Sequence, residues 1–235
     1  MAIPLVVTPE FVTEIPSTKQ QIKFRPFLVK EEKILFMAME GGDPLEINNA
    51  VKKVLSSCII SDDVVIEKLA TFDIEYLFLQ LRGKSVGEVI ELNLKHPNNS
   101  ECQHVTEHAV SIDSIKVHFP EKVTDKIMIS DSIGLKMNYP SLESTNIVSN
   151  NNDLDTIINL IANHVQFVFD QDNVYEEFTH QEVKDFIESM NSTQFKNLTE
   201  FFTDSPELRH EISWTCPECG KQESLMLRGL QSFFS

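Results

Sequence analysis

Cys216-Pro217-Glu218-Cys219-Gly220 is the stretch whose residue types and spacing are best suited to chemistry. Two cysteines two residues apart on a tight turn can aim both thiolates at one metal ion, and the glycine lets the chain close that turn. This is one half of a zinc ribbon. A structural zinc takes four ligands, and the chain has no second Cys-x-x-Cys. Donors that could complete the set cluster in an earlier segment: His96, Cys102, His104 and His108. The ligand set read from the sequence is Cys102 and His104 with Cys216 and Cys219. The competing reading is a pair of turns that hold no metal, so the cofactor expectation is none or one structural zinc. A redox role is disfavoured, because no preceding strand and following helix would lower the thiol pKa as redox Cys-x-x-Cys sites require.

Other motifs fall short of chemistry. Asp170-Gln171-Asp172-Asn173 begins like a calcium loop, but Val174 occupies the next ligand position and the turn glycine is missing. Only seven glycines occur, and none are grouped to cradle a phosphate. The chain contains neither Gly-x-Ser-x-Gly nor His-Glu-x-x-His. His164 within a helix and His180 inside a cap read as structural. No catalytic residue or organic cofactor is expected, and the protein is read as a non-enzyme.

The elements that position the cysteines follow from periodicity. Residues 1–22, rich in Pro, Thr and Ser, read as an extended arm. Residues 23–87 read as a helical region. Its first helix spans 29–40, with Glu31 and Glu32 in the first turn and Gly41-Gly42 as the stop. The next begins at Asp43-Pro44-Leu45-Glu46 and buries the stripe Ile47, Ala50, Val51, Val54, Leu55 and Cys58. Two more helices are expected over 64–70 and 73–82. The period then changes to two. Ile90, Leu92 and Leu94 share one face of a strand, and residues 88–140 read as a β-rich region with a hairpin knuckle at 96–104. Polar residues 141–152 read as a linker. Residues 153–207 form a second helical region, with helices over 153–169, from Thr179 to Met190, and around Phe195–Phe202. Residues 208–235 read as a ribbon-like hairpin with an apolar tail. The expected class is α+β: helical N-terminal region, β-hairpin-rich middle, helical second half and C-terminal zinc-ribbon-like hairpin.

Composition narrows the functions. The chain has 235 residues, 41% of them hydrophobic and sixteen of them Phe, enough for a sizeable core. Acids outnumber bases 36 to 20, for a net charge of −16. Gripping nucleic acid or an anionic membrane needs clustered Lys and Arg, so neither partner is expected. No apolar run is long enough to span a bilayer, and no export signal is visible, so a cytosolic protein with reduced thiols is expected. Most of the Phe residues read as core. Phe24 and Phe27 ahead of the first helix, and Phe233 and Phe234 at the end, are the candidate partner-binding side chains.

Several long stretches carry a family resemblance: Lys23-Phe24-Arg25-Pro26-Phe27-Leu28-Val29-Lys30-Glu31-Glu32-Lys33, Phe72-Asp73-Ile74-Glu75-Tyr76-Leu77-Phe78 and Leu81-Arg82-Gly83-Lys84-Ser85-Val86-Gly87-Glu88. Ile133-Gly134-Leu135-Lys136-Met137-Asn138-Tyr139-Pro140 and the segment from Cys216 to Phe234 add to them. These resemble the baseplate protein family of T-even-like contractile-tail phages. The resemblance implies a chaperone-like assembly factor for the central hub of the tail. Its implied partners are hub proteins, the tape-measure protein and other hub assembly factors. It implies no catalytic residues and places the protein in the cytoplasm of the infected host. The competing readings are a permanent baseplate component, a zinc-ribbon adaptor in nucleic-acid handling, and a cytosolic enzyme.

Overall fold

The computed structural model describes residues 6–96, 102–121, 124–141, 144 and 153–233, and of Gln231 and Phe233 the backbone alone. Among these residues the chain is α+β, with six α-helices and eleven strands in four sheets. It divides into two compact units. The first takes the described residues up to 67, residues 72–118, and the chain from 207 onward; the second takes 68–71 and 119–206.

The first unit opens with a hairpin where the sequence suggests an arm. Strands β1 (Phe11–Glu14) and β2 (Gln21–Phe24) pair antiparallel, Phe11 opposite Phe24 and Glu14 opposite Gln21. Few apolar residues are needed, because they alternate. Ile22 and Phe24 point inward with Ile15, all 4% exposed or less. The intervening turn is pinned from outside, since the Ser17 amide donates to the buried Asp73 carboxylate at 2.9 Å.

Helices α1 (Val29–Gly41), α2 (Pro44–Cys58) and α3 (Thr71–Ser85) follow. Asp43 caps α2 by accepting from the Leu45 amide, and Pro44 fits its first turn. Arg25 explains much of the Phe-Arg-Pro-Phe stretch. Its guanidinium donates to Glu31 Oε1 at 3.0 Å and to the Ser57 carbonyl at 2.9 Å. The other carboxylate oxygen of Glu31 accepts from the Leu28 amide at 2.8 Å, starting α1. Glu31 is 2% exposed. Burial alone would raise its pKa, but the Arg25 hydrogen bond and the Leu28 amide outweigh that and hold it below the ordinary carboxylate range. Residues 64–70 form only a 3-10 turn, Ile66–Lys68, in place of the expected helix.

Strands β3 (Val89–Leu94) and β4 (Thr106–Ser111) form the expected second hairpin, Val89 opposite Ser111 and Leu94 opposite Thr106. Strand β5 (Lys116–His118) ends this part of the unit.

The second unit is an antiparallel sheet with three helices. Its strands are β6 (Lys126–Met128), β7 (Gly134–Met137), β8 (Val165–Phe169) and β9 (Val174–Tyr175), in that order. Helix α4 (Leu154–His164) precedes β8, while α5 (His180–Glu188) and α6 (Ser192–Thr203) follow β9. The expected helix over 153–169 therefore breaks at His164. The β-branched and aromatic run Val165-Gln166-Phe167-Val168-Phe169 instead takes ladder bonds from β7. Gly134 gives the Phe169 ring its place, since a Cβ there would sit 2.3 Å from the ring and displace it. The core joins Leu135 and Met137 of β7 to Ile161, Val183, Leu198 and Phe201 of the helices. Thr179 and Glu182 cap α5 reciprocally, as their spacing suggests. The calcium-like stretch is a turn: Asp170 Oδ1 accepts from the amides of Asp172 and Asn173. His164 is buried between the Leu160 carbonyl and the Ser144 hydroxyl, and desolvation lowers its pKa. Apart from Ser141 and Ser144, the expected linker at 141–152 lies outside the described residues.

The chain returns to the first unit as β10 (Glu207–Thr215) and β11 (Gln222–Arg228). Strand β10 lies between β11 and β5. Residues Leu230–Phe233 make a closing 3-10 turn. It docks on α3, where the Leu230 amide donates to Glu75 Oε1 at 3.1 Å.

Burial raises the Glu75 pKa to about 7, the Leu230 amide opposing and Glu207 adding repulsion. The unfolded chain releases this proton near the ordinary carboxylate value of 4.5, so between the two values the folded state holds more protons. Stability should therefore fall as pH rises from 4.5 to 7. Glu75→Gln keeps the acceptor for Leu230 and should remove that decline, gaining up to about 3 kcal/mol above neutrality. Urea unfolding followed through Trp214, the single tryptophan, reads the first unit. Parallel pH profiles for the two proteins would contradict this account of Glu75.

Candidate metal centre

One apolar cluster sets the position of two loops. It joins Ile90, Leu92 and Leu94 of β3 to Ile212 and Trp214 of β10 and Leu227 of β11. The inward faces of both hairpins are thus held together, and their tips follow. Leu94 is the last inward residue of β3, and His96 continues the same alternation with a side chain 3% exposed. At the other tip, Thr215 pairs with Gln222, and the five-residue turn Cys216–Gly220 closes between them. The Gly220 amide donates to the Cys216 carbonyl at 2.9 Å, with Gly220 at φ +71°.

The two tips bring four soft donors together. The ring nitrogen of His96 and the sulfurs of Cys102, Cys216 and Cys219 all lie within 4.8 Å of one another. Cys102 Sγ is 3.9 Å from Cys216 Sγ, and Cys219 Sγ is 3.5 Å from His96 Nε2. His96 is oriented by its other nitrogen, Nδ1, which lies 2.9 Å from Glu223 Oε1. Lys221 Nζ holds the same carboxylate oxygen at 2.7 Å.

The electrostatics favour one thiolate. The Cys216 pKa is lowered to about 6, first by the Cys219 amide and then, against desolvation, by the Glu218 amide and His96. Cys102 moves up. The His104 amide pulls it down, but desolvation and the sulfurs of Cys216 and Cys219 outweigh that pull. The Glu223 hydrogen bond, followed by Cys216, raises His96. Chemically, this is a His/Cys3 group able to coordinate one soft or borderline metal ion.

The ligand set read from the sequence changes at one position. Cys102, Cys216 and Cys219 converge, and the fourth donor is His96 in place of His104. His104 contributes its backbone amide to Cys102. The signal for His96 was the period-two pattern of β3, which carries past Leu94 and turns the ring inward. His108 lies on β4, opposite Leu92. Cys58 stands apart in α2, fully buried, with its thiol pushed up to about 11 by burial.

The aromatic candidates scatter. Phe24 is a core residue of β2, 4% exposed and packed on Phe11 at 5.9 Å between ring centroids. Phe27 is half-buried, its amide donating to Ser85. The side chain of Phe233 and the whole of Phe234 lie outside the described residues.

Fold and site together define a two-unit α+β protein in which a His/Cys3 group joins two hairpin tips of the first unit. The chain belongs to the T4 bacteriophage base plate protein family, whose model matches residues 8–235. It is similar to the baseplate hub assembly protein gp26 of Enterobacteria phage T4, at 24% identity over 229 residues that cover 96% of this chain and 98% of that protein. No solved structure matches the chain significantly. No helix among the described residues is long and apolar enough to cross a membrane.

The four thiols should separate by environment. In reduced, chelator-treated protein at neutral pH, iodoacetamide should modify exposed Cys219 first and reach buried Cys58 only on unfolding. Peptide mapping by mass spectrometry follows each site. Native labelling of Cys58 at the rate of Cys219 would contradict the packing of α2.

Proposed function

We propose that this protein is a non-enzymatic assembly factor for the central hub of the phage baseplate. It binds other baseplate proteins and promotes their assembly. The observation that carries this reading is the match along nearly the whole chain, residues 8–235, to the base plate family, together with the hub assembly protein among its relatives. Hub components and the tape-measure protein are its partners, and it acts in the host cytoplasm before the tail is complete. The His/Cys3 group serves as structure within this reading, holding two hairpin tips together, and not as a reactive centre.

The first unit offers a surface for such binding. Among the residues of α1, Glu31 alone is buried. Phe36 and Met37 are each 61% exposed, Met39 is 49% exposed, and Leu45 at the start of α2 is 53% exposed. Aromatic and methionine side chains are enriched at protein interfaces, and methionine adapts to irregular partners. Exposed on one helix, they suit the transient shielding of apolar hub or tape-measure segments that would otherwise aggregate. Phe24 is packed in the core, 4% exposed, so the exposed apolar side chains of α1 are the ones this reading uses.

The double substitution Phe36→Glu/Met37→Glu tests this. Both side chains are solvated, so stability should change by no more than about 0.5 kcal/mol. Infected cells that carry the variant in place of the native chain should fail to assemble hubs, and identified hub proteins should no longer co-purify with it. Normal hub assembly by the folded variant would overturn the proposal.

A further inference from the structure

We propose that His96 Nε2 and the sulfurs of Cys102, Cys216 and Cys219 bind one structural zinc ion. The proposal goes beyond the assembly reading and does not rest on it.

The distances carry the assignment. Zinc holds sulfur at about 2.3 Å and imidazole nitrogen at about 2.0–2.1 Å, so tetrahedral angles put sulfurs roughly 3.8 Å apart and sulfur from nitrogen roughly 3.6 Å. The structure has 3.9 Å between Cys102 and Cys216 sulfurs and 3.5 Å between Cys219 sulfur and His96 Nε2. Both edges are those of a zinc tetrahedron. A disulfide is a poor account of the same sulfurs, since its bond length is about 2.05 Å. An iron–sulfur cluster would spread its ligands farther than the 4.8 Å that bounds this set. Mixed sulfur and nitrogen donors in a tetrahedron select zinc among the common divalent ions.

The surroundings are built for the ion as well. Glu223 accepts from His96 Nδ1, which leaves Nε2 as the lone-pair donor facing the sulfurs. This is the carboxylate–histidine–metal arrangement that fixes ring orientation in zinc sites. The amides of Glu218 and Cys219 donate to the Cys216 sulfur, and the His104 amide donates to Cys102. Such bonds offset the negative charge that three thiolates bring. Four protein ligands fill the coordination sphere, so the ion has no open position for substrate and serves the fold. It ties the end of β3 and the Cys102 loop to the turn between β10 and β11.

Metal analysis of the isolated, reduced full-length chain tests this directly. One zinc per chain is expected by mass spectrometry of the metal. Exchange for Co(II) should give the intense visible bands of four-coordinate cobalt and a sulfur-to-cobalt charge-transfer band. His96→Cys should retain one cobalt per chain and strengthen the charge-transfer band, a gain that loss of folding cannot mimic. Glu223→Gln should weaken cobalt binding roughly 10–100-fold, as expected for loss of a partner behind a ligand. His104→Ala, which keeps its amide, and Cys58→Ser should leave stoichiometry and spectrum unchanged. Two results would overturn the assignment. One is a folded, reduced chain that takes up neither zinc nor tetrahedral cobalt. The other is a metal signal lost in His104→Ala but kept in His96→Ala. The readout involves no partner, so it fails or succeeds separately from hub assembly.

Discussion

The first unit depends on one constraint: the inner faces of two hairpins remote in sequence must share a single apolar cluster. Strands β3 and β4 lie before the excursion of residues 119–206, while β10 and β11 lie after it. Ile90, Leu92 and Leu94 meet Ile212, Trp214 and Leu227 in that cluster, with Leu79 of α3 alongside. Each fully buried side chain of this size is worth on the order of 1.5–3 kcal/mol, so the closure is set by packing before any donor group is considered. The β5–β10 pairing, Glu207 opposite His118 and Leu208 opposite Val117, adds backbone bonds to the same closure. The convergence of His96, Cys102, Cys216 and Cys219 follows from it. A metal at the tips would strengthen a meeting that the core already enforces, at the ends of the hairpins, where strands fray most easily.

The outside of the same unit runs the other way. Helix α2 buries a full stripe, including Val51, Val54, Leu55 and Cys58, while α1 leaves Phe36, Met37 and Met39 to water. A helix stabilised mainly by its neighbour and by a capped, paired N-terminus can afford such a face. Arg25 and Glu31 supply that N-terminus, and the pair links β2, α1 and the end of α2 through the Ser57 carbonyl. Excess acidic charge, −16 over the chain, opposes self-association through an exposed apolar helix.

Much of this was legible locally. The starts of α1 and α2, the capping box of α5, the alternation of β3 and the Cys-x-x-Cys turn all follow from patterns within a few residues. What was not legible is non-local or ambiguous in period. Val165 and Val168 continue the helical spacing of α4, yet they sit in a β-branched and aromatic run that gains more from pairing with β7. The β1–β2 hairpin shows too few apolar residues for a strand signal, because its turn is stabilised by Asp73 far along the chain. His96 and His104 flank Cys102 with equal chemical merit. Only the inward register of β3 separates them, and only the shared cluster shows which loop face meets Cys216 and Cys219.

The central claim is that this chain works by presenting α1, on a unit closed by the two hairpins, to other baseplate proteins. Hydrogen–deuterium exchange on the isolated chain and on its complex with purified hub proteins tests it most directly. The account predicts slowed exchange across residues 29–41 in the complex, with β10 and β11 already protected in the isolated chain and little changed on binding. Unchanged exchange throughout α1, with new protection confined to residues 119–206, would contradict it.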